Sequence, residues 1–316
     1  MPRKSNHSLF DKAKNDKNDE FYTQLADIER ELLNYKKHFK DKIVFCNCDD
    51  VMTSNFFKYF VLNFDSLGLK KLICACYKES KNDSQEQGYC YEYTGSKSQQ
   101  PDINSVVKFK GNGDFRSFES IELLKQSDIV VTNPPFSLFR EHVSQLVQYK
   151  KDFLIISPVN AITYKEIYPL IKENKVWLGI NLGRGISGFI VPGHYELYGL
   201  ETTTTETGEK IISPNNCMWL TNLDNSKRQE FISLTKKYIG NESEYPHYSN
   251  CNGIHVDRTQ NIPMDYEGIM GVPTTFLHKY NPKQFEIIRF RKGDDGKDLR
   301  IGKKTPFFRI LVKKVA

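Results

Sequence analysis

Residues 128–136, Asp-Ile-Val-Val-Thr-Asn-Pro-Pro-Phe, decide the fold of this chain. Four β-branched residues, Ile129 to Thr132, predict a buried strand. Two prolines end this strand, because proline has a fixed φ and no N–H to donate to a neighbouring strand. The apolar spacing of residues 136–149 then predicts an amphipathic helix. A strand, a sharp turn and a helix in this order indicate one unit of an α/β sheet.

The same alternation of strands and helices continues on both sides of this stretch. We therefore expect an α/β fold with a mostly parallel sheet and helices on both faces. Ligands bind such sheets beyond the carboxyl ends of the strands, where Asn133 lies. Strands are expected at 42–46, 72–77, 89–93, 128–132, 153–157 and 175–180, and helices at 19–39, 54–67, 121–126, 136–149 and 162–174.

The pattern changes after Asn181, where Gly, Thr and Ser become common. Strand-like runs at 188–191 and 216–221 flank a polar tip, Thr202 to Thr205. Apolar spacing predicts a helix at 226–238, and two strand-like runs at 285–289 and 307–312 close the chain. We expect three regions: a flexible basic arm (1–18), a larger domain (19–222) and a smaller region (223–316).

The composition indicates a soluble protein, with 39% hydrophobic and 27% charged residues. No apolar run approaches the roughly 20 residues that cross a bilayer. Residues 1–20 also lack the apolar stretch of a secretory signal. We therefore expect a cytoplasmic protein without a membrane partner.

The charge permits binding to a polyanion without requiring it. Lys and Arg number 45 and Asp and Glu 39, a net charge of +6. Basic residues concentrate at 3–17 and 289–314, and each cluster is either a solvated face or a rim for phosphates.

Seven cysteines, an odd number, make a poor disulfide framework. Two C-x-C pairs, Cys46 with Cys48 and Cys74 with Cys76, lie in β-like runs and lack the usual C-x2-C spacing of zinc ligands. We interpret them as reduced, buried thiols and expect no metal.

The corner Asn133-Pro134-Pro135-Phe136 offers hydrogen-bond acceptors and a flat apolar face. The Asn133 side chain and the Pro134 carbonyl can accept both N–H groups of an exocyclic amine on a heteroaromatic base. These bonds favour a pyramidal nitrogen whose lone pair points at a methyl donor. Phe136 can stack on the base, which must leave the duplex to reach it. The alternative is an ordinary strand-ending turn, and Trp219 is either a second wall for the base or a core residue.

Several ordered motifs resemble the amino-group DNA methyltransferases, and within them the EcoRI-type modification methylases specific for adenine. The similarity covers most of the chain and is more specific than the corner alone. It includes 19–24 (DEFYTQ), 44–50 (VFCNCDD), 54–60 (SNFFKYF), 113–117 (GDFRS), 128–140 (DIVVTNPPFSLFR), 162–166 (ITYKE) and 271–288 (GVPTTFLHKYNPKQFEII).

The resemblance implies a binding site for S-adenosylmethionine (AdoMet). Phe21, Tyr22 and Thr23 match the motif that contacts the methionine part of AdoMet. Asp114 and Phe115 match the motif that holds its adenine. The first strand and its loop correspond to Cys46, Asn47, Cys48, Asp49 and Asp50, without the glycines that most methyltransferases have there, and Glu79 is the nearest acid for the ribose. The catalytic set is Asn133, Pro134, Pro135 and Phe136.

The resemblance also implies a Rossmann-like catalytic domain over 19–222 and a DNA target-recognition region over 223–316. Aromatic and basic residues of this region, among them Tyr245, Tyr248 and Arg291, suit contacts with phosphates and base edges. The implied reaction is methyl transfer to N6 of a flipped-out adenine in double-stranded DNA. A restriction endonuclease that shares the DNA site, without being bound, is an implied partner. An N4-cytosine methyltransferase, a methyltransferase of protein glutamine amides and a non-catalytic DNA-binding relative are the alternatives.

Overall fold

The computed structural model describes residues 22–78, 87–95, 105–181, 186–191, 202–205, 208–212 and 216–315. The predicted arm at 1–18, Phe21 and Glu79 lie outside the described residues. The chain divides into two compact units, a larger unit (Met1–Ile171 with Lys175–Leu223) and a smaller unit (Lys172–Asn174 with Asp224–Ala316).

Strands and helices are interspersed along the chain up to Lys172, and among the described residues a run of strands follows up to Thr221. In order, the elements are β1 (Tyr22–Thr23), α1 (Leu25–Leu32), β2 (Ile43–Cys46), α2 (Asn55–Leu62), α3 (Phe64–Leu67), β3 (Lys71–Cys76), β4 (Tyr89–Tyr93), β5 (Val107–Lys108), α4 (Phe118–Gln126), β6 (Ile129–Thr132), α5 (Phe139–Gln148), β7 (Asp152–Pro158), α6 (Tyr168–Lys172), β8 (Trp177–Leu178), β9 (Phe189–Val191), β10 (Thr202–Thr204), β11 (Lys210–Ile212) and β12 (Cys217–Thr221).

Eight strands form the main sheet, in the order β5-β4-β3-β2-β6-β7-β12-β8. The four central strands, β3, β2, β6 and β7, are parallel to one another. The outer pairings are antiparallel, so the sheet is mixed, and the prediction of a mostly parallel sheet is wrong for its edges. The spacing of strand-like runs in the sequence does not distinguish parallel from antiparallel neighbours, because an antiparallel neighbour needs no helical crossover.

The order in which the chain adds strands to the sheet reverses between β2 and β6. The chain passes from β2 outward to β3, β4 and β5, and it then returns to β6 on the other side of β2. β2 and β6 are parallel neighbours, with Val44 opposite Ile129 and Phe45 opposite Val130. Their carboxyl ends therefore lie side by side, at the kind of reversal where α/β sheets bind ligands.

Alternate residues of the central strands enter two apolar layers. Val44, Leu72 and Ile129 belong to a core cluster shared with α1, α2 and α3. Phe45 and Val130 are buried outside that cluster, because successive side chains leave a strand on opposite faces. This second face packs under α4, which contacts β2, and α5, which contacts β7. Both faces of the sheet are therefore covered.

A second sheet in the larger unit has the order β1-β9-β11-β10. β10 pairs with β11 through Thr202 and Ile212, so the threonine run predicted as a polar tip is mostly a strand. Threonine is β-branched and suits a half-exposed strand. Asp27 of α1 accepts hydrogen bonds from the backbone N and the hydroxyl of Ser187 (both 2.8 Å), which fixes the segment before β9.

The smaller unit contains a four-stranded sheet, in the order β13-β14-β16-β15. These strands are β13 (Gly253–His255), β14 (Ile269–Pro273), β15 (Phe285–Phe290) and β16 (Arg309–Lys314). Tyr245 and Tyr248, which we considered for DNA contacts, are buried in this unit and are parts of its packing.

The helix predicted at 226–238 is wrong. Only a single 3-10 turn forms there, Ser226–Gln229. Ile232 then bonds the side chain of Gln284 through both its N–H (2.7 Å) and its carbonyl (2.8 Å), which holds this segment out of a helix. Phe231, which contributed to the apolar spacing, is 63% exposed. No helix among the described residues is long and apolar enough to cross a membrane.

Candidate active site

The corner begins at the carboxyl end of β6, in the middle of the main sheet. Asn133 directly follows Thr132, and Pro135 keeps an extended backbone (φ −60°, ψ 122°). The N–H of Leu138 donates to the Pro135 carbonyl at 3.0 Å and starts the 3-10 turn that leads into α5. Pro134 is buried, whereas Asn133 and Phe136 are half-buried. The corner therefore lies at the reversal of the sheet, as a ligand-binding turn would.

A carboxylate from the loop after β2 supports the corner. Thr132, the residue before Asn133, donates its hydroxyl to Asp49 at 2.6 Å. The hydroxyl of Ser54 donates to the other oxygen of Asp49 at 2.8 Å. Burial raises the pKa of Asp49 to about 6, although both hydroxyl bonds oppose this increase. Asp49 therefore ties the loop after β2 to the start of the corner.

Ser54 continues this network to the N-terminal segment. Its hydroxyl oxygen accepts from the N–H groups of Phe56 (3.1 Å) and Phe57 (3.2 Å) and so caps α2. The side chain of Asn55 donates to the carbonyl of Thr23 at 2.8 Å. The hydroxyl oxygen of Thr23 is buried and has no hydrogen-bond partner among the described residues.

An aromatic contact connects the same segments from the other direction. The rings of Phe136 and Phe189 meet edge to face, with centroids 6.5 Å apart. Phe189 is the strand partner of Thr23 in the pairing of β1 with β9. Phe189 therefore brings the corner and the Tyr22–Thr23 segment together.

Asp50 lies beside the carboxyl ends of β2 and β3 with its charge compensated. Its carboxylate accepts from Tyr89 (2.6 Å), from the ammonium group of Lys78 (3.0 Å) and from the N–H of Met52 (2.9 Å). Burial alone would raise the pKa of Asp50, but these bonds outweigh it and lower the pKa below its usual value.

Asn47 contacts a histidine from the helix that follows the corner. The amide oxygen of Asn47 lies 3.1 Å from Nε2 of His142, so this nitrogen carries the proton. Nδ1 of His142 is buried and finds no hydrogen-bond partner within the described ranges, and burial lowers the pKa of His142 to about 3. The ring of Phe115 packs against the His142 ring at 5.1 Å.

Asp114 faces a cation. Arg116 donates to both of its oxygens, at 2.9 and 2.7 Å, and also to Glu141 at 2.8 Å. The hydrogen bonds from Arg116 lower the pKa of Asp114. Gly113, with φ +81°, lies so close to the end of β3 that a Cβ atom would come 2.4 Å from the Cys76 carbonyl. The backbone just before Asp114 therefore runs close against the end of β3, where a larger residue than glycine would not fit.

Cysteine and tryptophan side chains of the region belong to the packing. Cys46 lies fully buried in the core cluster, so its side chain is part of the packing. Trp219 is fully buried in β12, which excludes it as a wall for a base. All seven cysteines are free thiols. Among the described residues, no group of three or more His, Cys, Asp or Glu side chains could hold a metal ion.

Several residues of this network did not stand out in the sequence. Thr132, Ser54 and Lys78 are ordinary polar residues in strand-end or cap positions. His142 carried the clearest signal, because it lies on the buried face of α5 with Phe139, Val143 and Leu146. A polar residue at a core position of an amphipathic helix needs a partner, and that requirement could have marked it.

Comparisons with known proteins show the family of this chain. The family model for the adenine-specific methyltransferase EcoRI matches residues 9–310. The type II methyltransferase M.EcoRI of Escherichia coli is 61% identical over 321 residues, covering 99% of this chain and 98% of the relative. M.MgeORF184P of Mycoplasma genitalium is 39% identical (96% and 98% covered), and M.MpnI of Mycoplasma pneumoniae is 38% identical (88% and 84% covered), both named type II methyltransferases. No solved structure matches the chain.

A match over nearly the whole sequence, together with this level of identity, identifies the chain as a member of the EcoRI family of adenine-specific DNA methyltransferases, the modification enzymes of type II restriction-modification systems.

Proposed function

We propose that the corner Asn133-Pro134-Pro135-Phe136 is the catalytic site, and that it methylates N6 of an adenine flipped out of double-stranded DNA. The observation that carries this proposal is the position of the corner, at the carboxyl end of β6 and tied through Thr132 to Asp49. The family implies AdoMet as the methyl donor and double-stranded DNA as the substrate. The parallel strands β3, β2, β6 and β7, with helices on both faces, support a Rossmann-like arrangement for this domain.

The reaction needs an amino group prepared for attack. The adenine amino nitrogen is a weak nucleophile, because its lone pair is delocalised into the ring. We assign the Asn133 side-chain oxygen and the Pro134 carbonyl as acceptors of its two N–H groups, which favours a pyramidal nitrogen. Phe136 stacks on the base. Pro135 keeps the backbone of the turn extended. One proton leaves the nitrogen after the methyl group is transferred.

Residues that fit AdoMet surround the reversal of the sheet. The buried hydroxyl of Thr23, which has no hydrogen-bond partner in the part of the chain that the structure describes, is available to the carboxylate of the methionine part. Asn47, Cys48 and Asp50 follow β2, where the backbone can approach the ligand. AdoMet supplies an activated methyl group on a positively charged sulfur, and the protein residues hold and orient it.

Phe115 and Asp114 remain our candidates for the adenine of AdoMet. Phe115 is buried against His142, so the ring has a fixed position. Arg116 occupies both oxygens of Asp114, and adenine recognition therefore requires that Asp114 share its carboxylate with Arg116 and the adenine amino group.

Asp49 acts as a positioning residue in this proposal rather than as a direct ligand of AdoMet. Its two oxygens already accept hydrogen bonds from Thr132 and Ser54. Through Thr132 it fixes the backbone that carries Asn133. A displacement of about 1 Å in such a site lowers rates by roughly 100-fold, so this support bears directly on catalysis.

The region 223–316 is our candidate for DNA target recognition, and its basic residues support that role. A restriction endonuclease that cuts the same site is the expected functional partner, with no complex between the two proteins.

The experiment is transfer of a tritiated methyl group from AdoMet to unmethylated plasmid, with nucleoside analysis of the product and long-read mapping of the modified positions. We expect N6-methyladenine in one short motif, and GAATTC is the first motif to examine because of the family resemblance. N4-methylcytosine would contradict the base assignment. Retained DNA binding without methyl incorporation would contradict catalysis.

A further inference from the structure

The link between β15 and β16 presents an aromatic side chain to solvent. Phe307 is 74% exposed, and its ring stacks on that of Phe308 with centroids 5.0 Å apart and an interplanar angle of 25°. Single exposed apolar residues are common on protein surfaces, so the exposure of Phe307 alone does not indicate a binding site. The restraints on this pair are what set it apart.

Neighbouring side chains hold the pair in place. One nitrogen of Arg309 donates to the carbonyl of Phe307 (3.0 Å) and to that of Phe308 (3.3 Å). The guanidinium of Arg291 lies 4.3 Å from the centroid of the Phe308 ring, and the ring of Phe290 meets Phe308 edge to face at 5.9 Å. Phe307 is therefore exposed on a supported base, and little conformational entropy is lost when a ligand stacks on it.

The surrounding segment is strongly basic. Residues 289–309, here called the basic hairpin, contain eight Lys or Arg and three Asp, an excess of five positive charges in a chain whose net charge is +6. The three aspartates pair within the hairpin: Asp294 with Arg289 (2.6 Å), Asp295 with Arg300 (2.9 Å) and Asp298 with Lys292 (2.6 Å). The acids are thus used to order the hairpin, and the excess charge remains positive.

Two lysines lie on a tight turn, four and three residues before Phe307 in the chain. Ile301 and Lys304 form a bridge around Gly302, whose φ of 58° permits the turn. Lys303 and Lys304 are both exposed. Proteins that bind nucleic acid combine exposed cations with an open aromatic ring. The cations contact phosphates, and the ring stacks on a base.

We propose that Phe307 stacks on a nucleobase of the DNA substrate while Lys303 and Lys304 contact adjacent phosphates. This inference rests on the proposed function, since it takes duplex DNA as the occupant. The excess of positive charge in the basic hairpin favours a polyanion as the ligand. The supported Phe307 ring favours a polyanion that also contains planar apolar groups, as the bases of DNA do. Insertion of such a ring at a base step is a known way for apolar side chains to contact duplex DNA.

The test measures the affinity of the full-length protein for a duplex that carries its mapped methylation site, over a series of KCl concentrations. Phe307→Ala should weaken binding roughly 5- to 100-fold, the range expected when an aromatic–base stack is removed, without changing the salt dependence. Phe307→Trp should bind within a few-fold of the parent, whereas Phe307→Leu should resemble the alanine variant. Lys303→Gln and Lys304→Gln should each reduce the slope of log affinity against log salt by about 0.9.

Phe118→Ala is the matched control, because Phe118 is 75% exposed and lies in the larger unit. It should bind the duplex as the parent does. Unchanged affinity in Phe307→Ala, or full affinity in Phe307→Leu, would overturn base stacking and leave the ring to another occupant. The failure of the proposed function is distinguishable, since it would appear as absent adenine methylation by the parent protein.

Discussion

The corner Asn133–Phe136 and the basic hairpin restrain the side chains to which we assign roles in opposite ways. The corner is held from inside, by a half-buried carboxylate that binds the residue before Asn133. The hairpin is held at the surface, by a guanidinium that binds the carbonyls of Phe307 and Phe308. Support from a half-buried group fixes the position of a side chain for a chemical step. Support from a surface group leaves the basic side chains and the Phe307 ring accessible to a ligand.

This difference separates the effects that substitutions should have. Changes at the corner or its supports should lower the rate of methyl transfer with little effect on DNA affinity. Changes at the hairpin should lower DNA affinity and leave the chemical step intact. Each prediction below tests whether this separation holds.

The largest effect is expected from Asn133→Ala. The substitution removes an acceptor of the adenine amino group and should lower the single-turnover rate roughly 100- to 1,000-fold, comparable to the loss of a strong preorganised hydrogen bond in other enzymes. DNA binding, measured by fluorescence anisotropy, should remain within a few-fold of the parent. A rate close to the parent's would show that Asn133 has no catalytic role.

A smaller loss is expected when the support of the corner is removed. Thr132→Val keeps the shape of the side chain but removes its bond to Asp49, and we expect a decrease of roughly 10- to 100-fold in the single-turnover rate. The affinities for AdoMet and DNA should change little. Thr132→Ser should restore most of the rate, because it retains the hydroxyl.

Thr221→Val is the control for loss of stability. Thr221 is also fully buried at the end of a strand in the main sheet, and its hydroxyl donates to the Phe153 carbonyl at 2.6 Å. Both valine variants lose a buried hydrogen bond and should unfold more easily, by about 1–2 kcal/mol. If Thr221→Val slowed methyl transfer as much as Thr132→Val does, the positioning role of Asp49 would be refuted.

The sequence predicted the local elements around the corner well and the contacts between distant elements poorly. The strand expected at 89–93 is β4, Tyr89–Tyr93, and the strand before Asn133 ends at Thr132 as expected. Such elements depend on consecutive residues, whose periodicity is visible in one chain. The pairing of Asp49 with Thr132 joins residues 83 positions apart, and no local pattern encodes it.

The smaller unit was the harder region to predict, for a physical reason. The apolar residues at 226–238 have helical spacing, but tertiary hydrogen bonds to Gln284 hold Ile232 in an extended segment. Tyr245 and Tyr248 suggested base contacts by residue type, yet both are buried. Phe307 carries no signal beyond its type, because exposure and stacking depend on the folded hairpin. The roles assigned to the site residues stay predictions.

A moderate effect on AdoMet affinity is expected from Asp114→Ala. Loss of a charged acceptor of the adenine amino group should weaken AdoMet binding about 10-fold by calorimetry. Arg116→Gln provides the comparison, since it breaks the ion pair but leaves the carboxylate. If both variants lost the same affinity, Asp114 would serve to hold Arg116 and not to bind adenine.

The smallest effect on catalysis, but a distinct one on stability, is expected from His142→Gln. Burial lowers the pKa of His142 to about 3 in the folded chain, whereas an unfolded histidine has a pKa of about 6.5. Below pH 6.5 His142 therefore binds a proton in the unfolded state but stays neutral in the folded state. The free energy of unfolding falls as the pH decreases. Between pH 7.5 and pH 5 this linkage amounts to about 2 kcal/mol. Urea unfolding at both pH values should show that His142→Gln loses about 2 kcal/mol less than the parent does on acidification. The same pH dependence in both proteins would mean that His142 titrates normally and that its contacts with Asn47 and Phe115 do not exclude a proton.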